Sequence, residues 1–450
     1  MQVNRRIFVS VQLSFLLVCA LPVQVLARAI MLDIPDRPEF SGFGTALAVI
    51  GDVDGDTIPD YLVGAYQRDV EKKTRQGQAF IFSGSSGKLL HTIDDPIPQS
   101  KAAFGFAVSA TGDVNQDGVP DFLIGAFGQG QSHEDATVQE GSGHAFVFSG
   151  KDQTLLYTLQ APQKQLAGSF GWAVASLGDV TGDSISEIIV GAFAQEGTGR
   201  AFVFNGQNGT LLHTLAPPEG GYAFGWSVAS AGDLDKDGSP DIVVGAPYTA
   251  VNGTPVQGQA YAFSGRDGKH LLTLDSPQSH AGGVFGWSVA GAGDINKDGV
   301  ADLLVGAPYQ DVGENRSQGV AFALSGADGK LLFTLNNPSP KPYTGFGLMV
   351  TAGPDANEDG VPEILIGAPY QEVDQFHVQG ELFVFNGRDG RHLFIFDNPL
   401  GHQGSMFGYA AASPGDIDGD KIPDFVIGAP GQSIMDKAVV GRAYVFVAKP

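Results

Sequence analysis

Seven stretches of this sequence place oxygen-bearing side chains at positions 1, 3, 5 and 9 of a short loop. The first holds Asp52, Asp54, Asp56 and Asp60, the second Asp113, Asn115, Asp117 and Asp121, and the third Asp179, Thr181, Asp183 and Glu187. The fourth holds Asp233, Asp235, Asp237 and Asp241, and the fifth Asp294, Asn296, Asp298 and Asp302. The sixth holds Asp355, Asn357, Asp359 and Glu363, and the seventh Asp416, Asp418, Asp420 and Asp424. Together they contain 24 of the chain's 49 acidic residues. Carboxylates crowded this closely repel one another unless a cation sits among them. Ca²⁺ takes about six to eight hard oxygens in a flexible cage. Alternate side chains of a tight loop can supply three, a main-chain carbonyl near position 7 a fourth, and position 9 one or two more. Up to seven Ca²⁺ sites are therefore expected, against the plainer alternative of solvated acidic turns.

The loops differ in detail. Position 12, where an EF-hand needs a bidentate Glu, is Val63 in the first and Val244 in the fourth. In the third, Thr181 is neutral and Ser184 stands where others have glycine. The sixth has an extra Pro354 between Gly353 and Asp355. The first and seventh carry Gly55 and Gly419 at position 4 and no glycine at position 6, so their backbone is expected to differ.

What positions these loops is a repeat. Phe-Gly recurs at Phe43, Phe104, Phe170, Phe224, Phe285, Phe346 and Phe407, with spacings of 61, 66, 54, 61, 61 and 61. So regular a period marks one stacked or circular architecture. In the fourth unit, residues 224–229 alternate as a strand and 233–241 form the acidic loop. Residues 241–247 read as an apolar second strand and 259–263 as a third. The turn Arg266-Asp267-Gly268-Lys269 leads into a fourth strand from His270 to Leu274. Four antiparallel strands repeated seven times predict an all-β, seven-bladed β-propeller. The last unit stops at Val447, one strand short. Residues 30–35 precede Phe43 by the offset at which 272–277 precede Phe285. The N-terminal strand is thus expected to complete the last blade, giving one domain over residues 30–450.

Phe-Gly at the start of each unit and Gly-Ala-Pro at the end of its second strand resemble FG-GAP repeats. The latter stands at Gly245-Ala246-Pro247, Gly306-Ala307-Pro308, Gly367-Ala368-Pro369 and Gly428-Ala429-Pro430. The first three units depart from it, with Gly64-Ala65-Tyr66, Gly125-Ala126-Phe127 and Gly191-Ala192-Phe193. The seven-bladed propeller at the head of integrin α subunits is built from such repeats. The resemblance implies a calcium-binding propeller for adhesion or partner recognition, with Ca²⁺ held in lower-face hairpin loops at the positions named above.

The face opposite the acidic loops collects aromatics. Trp172, Trp226 and Trp287 follow Phe-Gly, as do Phe106 and Tyr409. Tyr66, Phe127, Phe193, Tyr248, Tyr309 and Tyr370 follow the second strand. Such rings suit a basic side chain, and the integrin resemblance implies a basic residue of a partner subunit there. The alternative is packing of blade against blade. A protein ligand is the leading expectation for this face, with a carbohydrate ligand, stacked on the aromatics, as the alternative. The longest loop here, Phe127–Gly143, with His133, Glu134 and Asp135, is a candidate recognition loop or a spacer.

Composition marks a folded, turn-rich chain, and its first residues mark an exported one. Gly is 63 of 450 residues, Phe alone 30, and 43% are hydrophobic, too many for a disordered chain. A formal charge of −23 repels phosphate backbones and argues against nucleic acid. Arg5 and Arg6, an apolar run from about Phe15 to Leu26, and Ala27-Arg28-Ala29 form a signal peptide over residues 1–29. Asn4-Arg5-Arg6-Ile7-Phe8-Val9 resembles a twin-arginine signal, and a lipoprotein box around Cys19 is a weaker match. The expected destination is periplasmic, secreted or cell-surface, as a monomer without a spanning segment. Its removal takes Arg5, Arg6 and Arg28 away and lowers the charge from −23 to −26. The sole cysteine, Cys19, goes with it. Without a thiol, an H-E-x-x-H or a Ser elbow, an enzyme is not expected, though a glycan- or phosphoester-cleaving propeller is the remaining alternative. Sequons at Asn208, Asn252 and Asn315 would matter in a glycosylating host.

Overall fold

In the computed structural model, residues 28–34, 36, 38–130, 143–163, 168–433 and 439–448 are described. They form seven four-stranded antiparallel sheets, so the chain is an all-β, seven-bladed propeller. The first blade runs Phe43–Gly51, Asp60–Ala65, Gln78–Phe82 and Leu89–Asp94. No helix among the described residues is long and apolar enough to cross a membrane. Residues 1–27 and the loop bearing His133, Glu134 and Asp135 lie outside the described residues.

The fourth blade consists of Ser227–Gly232, Asp241–Ala246, Gln259–Phe263 and His270–Asp275. Its first strand starts three residues later than the alternation predicted. Phe224 and Gly225 instead occupy the turn before it, where their N–H groups donate to Thr198 O (2.9 Å) and Gly245 O (3.1 Å). The Phe224 ring turns inward against Tyr261 and Phe263, both 5.7 Å between centroids.

The second strand of each blade is apolar throughout because both of its faces are covered. In Asp60–Ala65, Leu62 points to the second blade while Tyr61 and Val63 point to the seventh. The core is thus seven apolar slabs, one between each neighbouring pair of blades. The fourth strands, such as Leu89–Asp94, are half-buried to exposed at the rim.

The ring closes as the termini predicted. Strand Arg28–Leu32 pairs antiparallel with Arg442–Val447, with Ile30 opposite Val445 and Leu32 opposite Ala443. That sheet is completed by Asp424–Ala429 and Ala411–Gly415. The strand takes in Arg28 and Ala29, two residues ahead of the expected boundary; cleavage after Ala29 would leave the pairs from Ile30 onward. Asp33 adds a two-point ion pair with the buried Arg442 (2.7 and 3.0 Å).

Close approach between blades explains two glycines of the repeat. A Cβ on Gly306 would lie 2.0 Å from the carbonyl oxygen of Gly347 in the next blade. The same contact recurs from Gly64 to Gly105 and, across the closure, from Gly428 to Gly44. Gly306→Ala is therefore expected to force the blades apart and cost up to about 3 kcal/mol. Urea unfolding would show it as a lower midpoint, and an unchanged midpoint would mean that the seam yields freely.

Candidate functional site

Each acidic loop links the first two strands of a blade, so all seven lie on one face of the disc. Their side chains are held by the loop backbone itself. In the fourth blade the carboxylate of Asp233 accepts from the N–H groups of Asp237 (3.2 Å) and Gly238 (3.1 Å). Asp235 accepts from Asp237 N–H (3.1 Å), and Asp237 from Ser239 N–H (2.8 Å). The residue at position 9 is buried and braces two turns at once. Asp241 accepts from Leu234 N–H (2.7 Å) and, across the sheet, from Gly265 N–H (3.0 Å).

The loop backbone is shared, contrary to the expectation for the first and seventh blades. All seven are left-handed at both positions 4 and 6, as in Gly55 and Thr57, Lys236 and Gly238, and Gly419 and Lys421. Glycine occupies one of the two positions in every loop. The third blade follows suit, with Gly182 at position 4 and Ser184 at position 6. Left-handed backbone is open to glycine at little cost, so either placement lets the chain turn.

The donor sets fit a hard cation. In the first, fourth and seventh blades the carboxylates of positions 1, 3 and 9 converge, each set within 4.8 Å: Asp52, Asp54 and Asp60; Asp233, Asp235 and Asp241; Asp416, Asp418 and Asp424. In the second, fifth and sixth blades an asparagine stands at position 3. Asn115, Asn296 and Asn357 accept from the N–H of position 5 at 2.9, 2.8 and 2.9 Å, as Asp54 and Asp235 do, so their amide oxygens take the same place. In the third, Thr181 turns its hydroxyl toward Glu187 (3.4 Å). Asp359 Oδ1, Asp420 Oδ2 and both oxygens of Glu363 are buried without a hydrogen-bond partner. Acceptors left bare in this way are what a bound cation would satisfy.

Pro354 explains Glu363. The residue before position 1 is elsewhere a left-handed glycine, such as Gly232, paired with position 9. Pro354 cannot take that conformation, so Gly353 pairs with Glu363 instead (2.7 Å). Glu363 makes none of the close N–H bonds that hold Asp241, and burial with the nearby Asp355 and Asp359 pushes it up to about 8 against the weaker pull of the Asn357 and Ala356 N–H groups. Burial likewise raises Asp60, Asp241, Asp302 and Asp424 to about 6. By contrast, the Ser85 hydroxyl and Ile58 N–H hold Asp56 below the usual carboxylate range.

These shifts have a definite sign. An acid whose folded value exceeds its unfolded value binds more protons when folded, so stability falls as pH rises between the two. With unfolded Asp near 3.9, the loss in metal-free protein runs from about pH 4 to 6, and on to about 8 for Glu363. Metal-free protein is expected to melt about 5 °C higher at pH 5 than at pH 7.5. A saturating divalent cation reverses the order, because it binds the ionised form. Melting curves at the two pH values, with and without the ion, test both halves.

The opposite face carries the aromatics, one strand length of about 20 Å away. They join in a chain around the ring axis. Tyr66 meets Phe106 at 5.0 Å, Phe106 meets Trp172 at 4.4 Å, and Trp172 meets Trp226 at 4.7 Å. Trp226 meets Trp287 at 4.8 Å, which meets Tyr309 at 5.5 Å. Phe127, Phe193 and Tyr248 set their edges against these tryptophans. Tyr370 shares a hydrogen bond with Tyr309, and burial pushes its hydroxyl up to about 12. The first and sixth blades depart, with Thr45 and the buried Leu348 in the tryptophan slot. All nine candidate residues are half-buried, so they touch across the seams and still present surface.

A family model of the FG-GAP repeat matches residues 224–263, 285–322 and 407–446. The chain carries FG-GAP repeats. Integrin alpha-4 of Xenopus laevis is 32% identical over 260 residues, covering 54% of this chain and 23% of that protein. Integrin alpha-V of Gallus gallus is 29% identical over 229 residues (45% and 20%), and integrin alpha-IIb of Homo sapiens 32% over 233 (49% and 22%). The similarity thus spans less than a quarter of the length of these relatives.

The FG-GAP residues divide their work. The Phe packs into a slab, and the two glycines meet across a seam. One further position of the repeat was missed in the sequence: a Gln three residues after the Gly-Ala pair, in Gln129, Gln195, Gln310, Gln371 and Gln432. Each is buried and bonded to the connector entering its blade or to a neighbouring turn. Gln371 donates to Ser339 O (2.9 Å) and accepts from Asn337 (3.0 Å), while Gln432 accepts from Asn398 (2.7 Å). Its fixed offset from Gly-Ala was the available signal.

Proposed function

We propose that this chain is an exported recognition or adhesion propeller, stapled by Ca²⁺ in its lower loops, whose aromatic face receives a basic side chain of a protein partner. The observation that carries the reading is the half-exposed aromatic chain on the face opposite the acidic loops. Tyr66, Phe127, Trp172, Phe193, Trp226, Tyr248, Trp287, Tyr309 and Tyr370 offer several π faces, each worth about 2 kcal/mol to a desolvated cation. Exposed Phe40, Tyr222 and Tyr343 precede Phe-Gly and so rim the same face, adding the apolar surface that protein partners cover. The integrin relatives support recognition over catalysis. Ca²⁺ is the ion that suits all-oxygen loops with this spacing. The charged, then apolar, stretch over residues 1–29 supports export.

Capture from a cell-surface extract, run beside a glycan array with and without Ca²⁺, tests the reading. A protein partner should be retained, and Trp226→Ala and Trp287→Ala should each weaken it by about thirtyfold, the loss typical of a central aromatic. Glycan binding without a protein partner would make it a lectin, and glycan turnover an enzyme. Either result overturns the proposal.

A further inference from the structure

On the aromatic face, at the seam of the first and second blades, lies a cavity of about 290 Å³. Tyr66 and Phe127 line it together with Gln67, Arg75 and Lys101. Two cations in one cavity are notable in a chain with 49 acidic and 26 basic residues. Arg75 and Lys101 are exposed, and neither forms an ion pair among the described residues. We infer that this cavity binds the side-chain carboxylate of an acidic residue on a protein partner.

Comparison between blades isolates the feature. The upper loops of the first, fourth, fifth and sixth blades share a local bridge: Val70 with Lys73, Val251 with Thr254, Val312 with Asn315 and Val373 with Phe376. In the first, residues 67–76 carry Arg68, Lys72, Lys73 and Arg75 against Asp69 and Glu71. The fourth blade's loop, 249–257, has no charge, and the sixth has Glu372 and Asp374 with no Lys or Arg. The slot of Arg75 is filled by Val256, Ser317 and Val378 elsewhere, and that of Lys101 by Gly282, Tyr343 and Gly404. All of these are left-handed. Only at this seam do both slots hold cations among these four.

The backbone fixes the pair across the seam. Lys101 N–H donates to Thr74 O (2.7 Å), Ala103 N–H to Arg75 O (3.2 Å), and Arg75 N–H to the Asp69 carboxylate (2.8 Å). One cation therefore comes from each blade. A guanidinium fork matches a carboxylate in two-point geometry, and a lysine adds a mobile charge. Gln67, which donates to the Tyr66 hydroxyl (2.9 Å), brings a neutral amide to the wall. Tyr66 also belongs to the aromatic chain, so cavity and ring are continuous. A partner carrying a basic and an acidic residue side by side would engage both. That last step rests on the proposed function; the cavity's preference for a carboxylate does not.

The test is saturation-transfer NMR on the full chain with N-acetylglutamate N-methylamide and its neutral counterpart, N-acetylglutamine N-methylamide. The acid should bind at least tenfold more tightly than the amide, and 0.5 M NaCl should abolish the difference. Arg75→Ser and Lys101→Gly copy residues that other blades hold in these slots, so the fold should persist with an unchanged melting temperature. Each should weaken the acid at least fivefold, and the double variant should bind neither probe measurably. Equal binding of acid and amide, or retention in the double variant, overturns the inference. So does binding of D-glucuronate with none of the glutamate probe, which would assign the cavity to an acidic sugar. N-acetylarginine N-methylamide reports separately on the ring: if it fails while the acid binds, the proposed function falls and the cavity assignment stands.

Discussion

Chelation at neutral pH should lower the melting temperature by about 10 °C. At ten times its dissociation constant, each bound ion adds about 1.4 kcal/mol, so seven would add about 10. A propeller of this length melts with an entropy near 0.9 kcal/mol per kelvin, which converts that sum to the stated shift. Without ions, 24 carboxyl or carboxylate groups share seven short loops, and Glu363, Asp359 and Asp420 keep oxygens shielded from solvent without a hydrogen bond. Calorimetry before and after EDTA, with metal content measured, decides the matter. Re-addition of Ca²⁺ should restore the original curve, and Mg²⁺ only part of it, since that ion demands tighter octahedral geometry. A demetallated sample with an unchanged curve would return the loops to solvated turns.

Deleting residues 28–34 should be still more damaging. Leu32 and Ile34 are fully buried in the slab between the last and first blades, alongside Phe43, Tyr61 and Val445. Each contributes about 2–3 kcal/mol by leaving water. Loss of Asp33 would leave buried Arg442 without its carboxylate, a change worth about 3 kcal/mol or more. Strand Arg442–Val447 would become an open edge. Against a typical stability of about 5–15 kcal/mol, the ring should not stay closed. Circular dichroism should show an early, broad melt, and size exclusion should show association through the bare edge. A peptide spanning residues 28–36 should restore the melt in trans by adding the missing strand. A truncated chain that melts like the parent would show that closure is dispensable.

Much of this molecule is legible in its amino-acid sequence. Fixed spacing of Phe-Gly, and the match between residues 30–35 and 272–277, carried the blade count and the closure, because both depend on periodic patterns. Convergence of the acids in the first, fourth and seventh loops was also readable from spacing. What escaped was set by tertiary context. Position 6 without glycine in the first and seventh blades suggested a different loop, yet Thr57 and Lys421 take the left-handed turn. Position 4 supplies the glycine there, and the rest of the loop dictates the torsion. Phe224 looked like the first residue of a strand, since its alternation continues into Ser227. Its neighbour Gly225, at φ +86°, interrupts the alternation; the same left-handed glycine follows Phe43 and Phe170, where the Phe pairs and the register then skips ahead as a bulge. The Gln that follows Gly-Ala in five blades lay in plain sight but carries no charge or periodic apolar signal. Its role depends on a connector that only folding brings near.

Acidic charge is densest on one side of this disc, where seven short loops hold 24 of the chain's 49 acids. The opposite side mixes both signs, with Arg75 and Lys101 near Asp69 and Glu71, and carries the aromatic rings. The particle therefore has an electrical axis running through its hub. Beside any polyanionic sheet, such as a layer of acidic polymer, the field would exert a torque that turns the loops outward and the rings inward. Filling the loops with divalent ions shortens that dipole, so ambient calcium would set how strongly the disc is aimed as well as how firmly it holds together.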